Sequence, residues 1–175
     1  MRMKFIAGLG VIAVLMIGGC GYHTVGSASH IPAGVHTIAV PMFENRTQLP
    51  HLETWMTQAT ERELTMRTKI AVVPKTGDAD AVLKGVILTE TALPLTYTSN
   101  STTTTTSSYV ITVTAKVTLT DAHGHVLFEN DDYSFRQVYE STEQLSSFIE
   151  EDSPALQRLA RDFAKAVVSD MLESF

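Results

Sequence analysis

The chain has 175 residues with 13 Lys or Arg against 19 Asp or Glu, a formal charge of −6, and one cysteine. Its length supports one domain with a real core, and its acidic balance argues against nucleic acid, which needs a basic stripe. A lone thiol leaves no intrachain disulfide, so the fold must stand on its core.

The chain opens with Arg2 and Lys4, then the apolar stretch Phe5 to Ile17, then Gly18 and Gly19. A basic start, an apolar core and small residues before a cut are the three regions of a secretory signal. Thirteen residues make a helix of about 20 Å, too short for a hydrocarbon core of roughly 30 Å. Ile17-Gly18-Gly19-Cys20 resembles the lipobox read by lipoprotein signal peptidase. That resemblance implies diacylglycerol on the Cys20 sulphur, an acyl chain on the new amino terminus, and no other cofactor. Residue 21 is glycine, not the aspartate that marks inner-membrane retention, which points to the outer membrane. Residues 1–19 are therefore read as a signal peptide, 20–34 as a lipid-anchored tether and 35–175 as a single α+β domain. Without the leader, 11 basic residues face 19 acidic ones, a formal charge of −8.

Val35 to Pro41 reads as a strand with Ile38, Ala39 and Val40 as a buried run, ended by a proline that cannot donate a ladder hydrogen bond. From Leu52 to Arg67 the apolar spacing becomes helical, with Leu52, Trp55, Met56, Ala59 and Met66 on one face. Glu63 falls on that same face and predicts either a buried ion pair or a slight turn of the helix. Ile70 to Val73 is a short strand closed by Pro74, and Ala81 to Leu93 a longer one. Tyr109 to Thr120 alternates strictly, apolar at odd positions and mostly threonine at even ones, the pattern of a half-buried antiparallel strand. Asp121-Ala122-His123-Gly124 closes a hairpin. Val126 to Tyr139 returns, with a bulge expected where alternation breaks at Asn130-Asp131-Asp132. Ser153 and Pro154 start a helix as cap and first residue, with Leu156, Leu159, Ala160, Phe163, Val167 and Met171 as its apolar stripe. The order predicts a two-layer α+β sandwich: a mixed, mainly antiparallel sheet of about four long strands with two helices on one face. Thr98 to Ser108, written TSNSTTTTTSS, is either a surface loop or the tip of a long hairpin suited to a wet, polar cavity.

No catalytic signature is found: no G-x-S-x-G, H-E-x-x-H, P-loop or G-x-G-x-x-G. The expectation is a protein that is not an enzyme. His123 and His125 flank a glycine without an acidic partner at telling spacing, so no metal site is assigned. Asp131 and Asp132 are strand neighbours that point to opposite faces, and do not make an acid/base pair.

Several strings together resemble the lipopolysaccharide-assembly lipoprotein family, LptE. They are Cys20-Gly21-Tyr22-His23, Ile31-Pro32, the run from Ile38 through Pro41-Met42-Phe43-Glu44-Asn45-Arg46-Thr47, Glu61-Arg62-Glu63-Leu64, Ala79-Asp80-Ala81-Val82-Leu83-Lys84-Gly85, and the closing helix from Pro154 to Phe175. The resemblance implies a lipoprotein on the periplasmic face of the outer membrane. It would plug and help assemble a β-barrel translocon (LptD-like) and support delivery of lipopolysaccharide to the cell surface. Partners are then the barrel, lipopolysaccharide and, through the anchor, the membrane. Phosphates on that glycolipid call for Arg or Lys in concert, and Lys84, Lys116 and Arg136 on the three long strands are the candidates. The I-A-V-P-x-F-x-N-x-T run also occurs in curli-secretion-like lipoproteins, and a secretion-channel subunit is the alternative. Such a subunit would form a ring of its own, visible by light scattering.

Overall fold

The computed structural model describes residues 34–99, 104–140 and 154–175, with side chains described except at 96–107, 139 and 140. The leader, Cys20, nearly all of the tether and the Ser153 cap lie outside the described residues.

The elements run β1 (Thr37–Ala39), β2 (Glu44–Asn45), α1 (Leu52–Arg67), β3 (Ala71–Val73), a 3-10 turn (Thr76–Asp78), β4 (Ala81–Ser99), β5 (Thr104–Asp121), β6 (Val126–Glu140) and α2 (Pro154–Glu173). The sheet order is β3-β1-β4-β5-β6, with β2 also on β4. β1 runs parallel to both β3 and β4, whereas β4, β5 and β6 form an antiparallel meander. The fold is the expected two-layer α+β sandwich, with three long strands and three short ones instead of about four long ones.

The alternation of β5 explains the layers. Ile111, Val113, Ala115, Val117 and Leu119 are essentially buried under the two helices, while Thr112, Thr114, Lys116, Thr118 and Thr120 line the other face. Each buried Val, Leu or Ile contributes about 1.5–3 kcal/mol, an upper figure because unfolded chains already bury some surface. On α2 the whole expected stripe is buried, and Ala164 and Val168 widen it. α1 behaves differently. Glu63 is buried and lies 3.7 Å from Arg67, which resolves the anomaly as a buried carboxylate with an i,i+4 partner. Met66, expected on the apolar face, is 66% exposed because the last turn of α1 overhangs the edge of the sheet above β3.

The first expected strand is β1, shorter than expected, and β2 is a further short strand beyond Pro41 that the sequence reading did not foresee. Pro41 interrupts pairing after Ala39, and the ladder resumes at Glu44 opposite Val86. The register places Phe43 beside Gly85, on the core face of β4 between the buried Leu83 and Ile87. A Cβ at Gly85 would stand 2.5 Å from the Phe43 ring, so the ring occupies the volume that any other residue's side chain would take. Phe163 of α2 then meets Phe43, Tyr133 and Phe135 edge-on, with centroids 6.0, 5.7 and 5.6 Å away. Buried Thr57 closes the break: its Oγ1 accepts from Phe43 N at 3.0 Å and donates to Glu53 O at 2.6 Å. Asn45 organises the next turn, donating from Nδ2 to Leu49 O and Glu53 Oε2 while its Oδ1 accepts from Thr47 N and Oγ1.

Asp80 fastens β1 to the start of β4. Its Oδ2 accepts from His36 N, Thr37 N and Thr37 Oγ1 at 2.8–2.9 Å, and its own N–H donates to Thr37 Oγ1. Hydrogen bonds from the His36 amide, then from the Thr37 hydroxyl and amide, hold the carboxyl below its ordinary value. A lowered native pKa means that stability is present above the unfolded value of about 3.9 and lost as pH falls through the native one. Asp80→Ala is therefore expected to lower the melting temperature at neutral pH, with the gap from wild type closing in acid. Melts across that range check it; a gap independent of pH would remove Asp80 from this role.

Candidate interaction face

Both helices cover one face of the sheet, and among the described residues no element covers the other. Residues on that outer face are set by strand parity, which changes on β4 first at Leu88 and again between Pro94 and Thr96. Leu88 is an extra residue between the pairs Ile87–Ala115 and Thr89–Thr114. Before it, Val82, Lys84 and Val86 point outward; after it, Thr89, Thr91 and Leu93 do. Glu90 is thereby turned toward the helix side, where partial burial holds its carboxyl above the ordinary range.

The outer face is built of cross-strand rows. One row is Lys84, Thr118 and Glu129; further along come Thr89, Thr114 and Ser134, then Thr91, Thr112 and Arg136, then Leu93, Val110 and Val138. The Thr89 and Thr114 hydroxyls are hydrogen-bonded at 2.6 Å. The last row is apolar and open to solvent, with Leu93 57% and Val138 52% exposed.

All three candidate cations lie on this face, but not as one cluster. Lys116 Nζ reaches Glu129 Oε1 at 2.5 Å and Asp131 Oδ1 at 2.7 Å, and those two hydrogen bonds, Asp131 first, raise its pKa. The bulge expected at 130–132 is present, because Tyr133 pairs with Ala115 but Asn130 with Val117; Lys116 ties it down. Lys84 and Arg136 are exposed. Their partners on β5, Thr118 and Thr112, are six residues apart, roughly 20 Å along the strand. Lys84 and Arg136 are thus separate cationic points on a hydroxyl-rich sheet.

Elsewhere the polar groups are structural. At the β5–β6 hairpin Asp121 accepts from His123 N, His125 N and His125 Nδ1, each at 2.8 Å. The His125 ring bond, first, and the two amides hold the Asp121 carboxyl down to about 2. Gly124 takes φ +88° there, as the turn requires. Among the described residues no three His, Cys, Asp or Glu groups stand close enough to hold a metal. On the helix side, Tyr133 OH donates to Asp170 Oδ2 at 2.9 Å, and burial, then that carboxylate, push its pKa up. A separate open groove of about 570 Å³ lies between the outer side of α1 and the edge strand β3, with Glu61, Arg62, Met66 and Val72 in its walls. Among the described residues no helix is long and apolar enough to cross a membrane.

The sequence reading missed the row Leu93, Val110 and Val138. Its signal was the three consecutive apolar residues Val86-Ile87-Leu88, one more than alternation allows.

A model of the lipopolysaccharide-assembly family LptE matches residues 35–171. The chain belongs to the LptE family. No curated protein sequence matches it. Among solved structures it is similar to a protein of Caulobacter crescentus described as a lipoprotein, at 14% identity over 85% of this chain and 91% of that one, with a TM-score of 0.54. It is also similar to lipoprotein B of Nitrosomonas europaea, at 15% identity over 87% and 88%, TM-score 0.50. A third is a Xanthomonas campestris protein, at 10% identity over 82% and 89%, TM-score 0.52. At these identities the likeness concerns the fold. Membership of the LptE family is what connects that fold to lipopolysaccharide assembly.

Proposed function

We propose that this LptE-family chain is an outer-membrane lipoprotein, anchored by lipid on Cys20 at the periplasmic face. It plugs and helps assemble the β-barrel through which lipopolysaccharide reaches the cell surface. The observation that carries the reading is the family match over residues 35–171. The physics is compatible with it. A wedge whose helices are confined to one side leaves a hydroxyl-bearing sheet face free, and hydroxyls suit the polar, hydrated interior of a large barrel. A lipid anchor would hold such a plug beside its partner at high effective concentration. No chemistry on the substrate is assigned; the role is structural.

The test is a pull-down of the full chain from detergent-solubilised membranes of its host. A stoichiometric barrel of high mass is expected, and its absence would end the plug reading.

Direct contact with lipopolysaccharide is proposed at Lys84, Lys116 and Arg136, with unequal shares. Lys116 already balances two carboxylates, so Lys84 and Arg136 have charge to offer a phosphate. Replacing both by Ala should weaken binding to purified lipopolysaccharide about tenfold, the loss of one or two charge-assisted contacts. Lys116→Ala should instead loosen the β6 bulge and leave affinity nearly unchanged. A titration in which the Lys84/Arg136 double variant binds like wild type would reject the assignment.

A further inference from the structure

We infer that the arm made by the far ends of β4 and β5, with the end of β6 beside it, is the element that meets the barrel, outer face against the barrel's polar inner wall. This rests on the plug reading and adds the docking surface. β4 and β5 remain paired from Thr89–Thr114 out to Ser99–Thr104, roughly 33 Å of ribbon. Among the described residues the buried ones stop early: Ile87 is the last on β4 and Ile111 the first on β5. Beyond them Leu93, Pro94 and Leu95 are all exposed. Leu93 and Pro94 pair in turn with Val110 and Tyr109 and so point to opposite faces, and the exposure of both leaves both faces of the arm uncovered there; Leu95 is the extra residue of a second bulge. Beyond the pair Ser108–Glu140 only β4 and β5 continue, and two strands alone are marginally stable in water; on the three-stranded part just before it, solvent-facing Leu93, Leu95 and Val138 form the kind of patch that marks a contact surface.

The chemistry of the arm selects its occupant. The two outer rows before the apolar one carry Thr89, Thr114, Ser134, Thr91, Thr112 and Arg136, with no acidic side chain, on a chain whose formal charge is −6. Acyl chains would strip these hydroxyls of hydrogen bonds at a cost of kcal/mol each. A polar barrel wall offers donors, acceptors and carboxylates in exchange for water, and the single row of Leu93, Val110 and Val138 provides modest apolar burial at its centre.

The experiment places a photo-crosslinking residue, one at a time, at Leu93, Val110 and Val138. Controls at Glu61 and Thr65 sit in the groove on the opposite side of the molecule. The full chain is expressed in its native host and irradiated in intact membranes. Adducts with a barrel, recognised by heat-dependent migration and mass, are expected from the three arm positions at about tenfold or more above the controls, the contrast of a central contact against a peripheral one. The inference is overturned by equal or stronger barrel adducts from the controls. Arm adducts with lipopolysaccharide or phospholipid in place of the barrel overturn it too, as does silence at every position while the pull-down still recovers the barrel. A pull-down without any barrel removes the plug reading itself.

Discussion

Gly85→Val is expected to destabilise the domain severely, and Gly85→Ala to do so by about 1–3 kcal/mol, the usual cost of overpacking. Two effects oppose one another. Replacing glycine within a strand gains roughly 0.5–1 kcal/mol through the unfolded chain. Against that, the new Cβ would stand 2.5–2.6 Å from three atoms of the Phe43 ring, which is itself 3% exposed and packed against Phe163. The ring cannot swing aside into solvent, so the clash wins. Phe43→Ala alone leaves a cavity and should cost about 3–5 kcal/mol. The pair should be strongly non-additive: with Phe43 gone, Gly85→Ala becomes neutral or mildly favourable, because methyl and cavity compensate. Denaturant melts of the four proteins in this cycle give the coupling. Additivity would mean that the ring and the glycine do not share one space.

Cys20→Ser is expected to remove the protein from the outer membrane. Serine cannot take the thioether-linked diacylglycerol, and each buried methylene contributes about 0.8 kcal/mol. One acyl chain alone binds marginally, whereas two or three make attachment effectively permanent, so loss of the lipidated sulphur removes the anchor in one step. Fractionation of host cells should find wild type in the outer membrane and the variant missing from it, unlipidated and, because the peptidase no longer recognises its cut site, still carrying the apolar leader. Intact-mass measurement of the wild type supplies the decisive check. A bare sulphur with the leader still attached would dismiss the anchor and the location derived from it.

Much of this architecture is legible in the sequence because the deciding forces are periodic. Strict alternation over Tyr109 to Thr120 gives strand, faces and buried set together, and Pro154 with its 3.6-residue stripe gives α2 to its last turns. What is less legible depends on partners distant in the chain. Met66 fits the apolar face of α1 by spacing alone, yet its exposure follows from the sheet ending beneath it at β3. Phe43 carries no sign that its cavity is a missing side chain 42 residues later. The three candidate cations do share a face, as their strand positions allow, but pairing of Lys116 with Glu129 and Asp131 depends on a bulge whose geometry alternation locates without describing. The sequence leaves the Ser/Thr-rich run open between loop and hairpin tip; its described parts are the paired ends of β4 and β5, out to Ser99–Thr104.

The extra residue at Leu88 makes spacing, more than residue identity, the critical property of the long ribbon. Removing that one residue would rotate everything beyond it by half a turn about the strand axis, sending Glu90 to the bare side and Leu93 toward the helices. A threonine there can become a serine at small expense, but a single-codon deletion would turn the ribbon inside out. The ribbon is in that sense a ruler with its zero mark at Gly85, and what it presents to a neighbour depends on the count of residues from that mark.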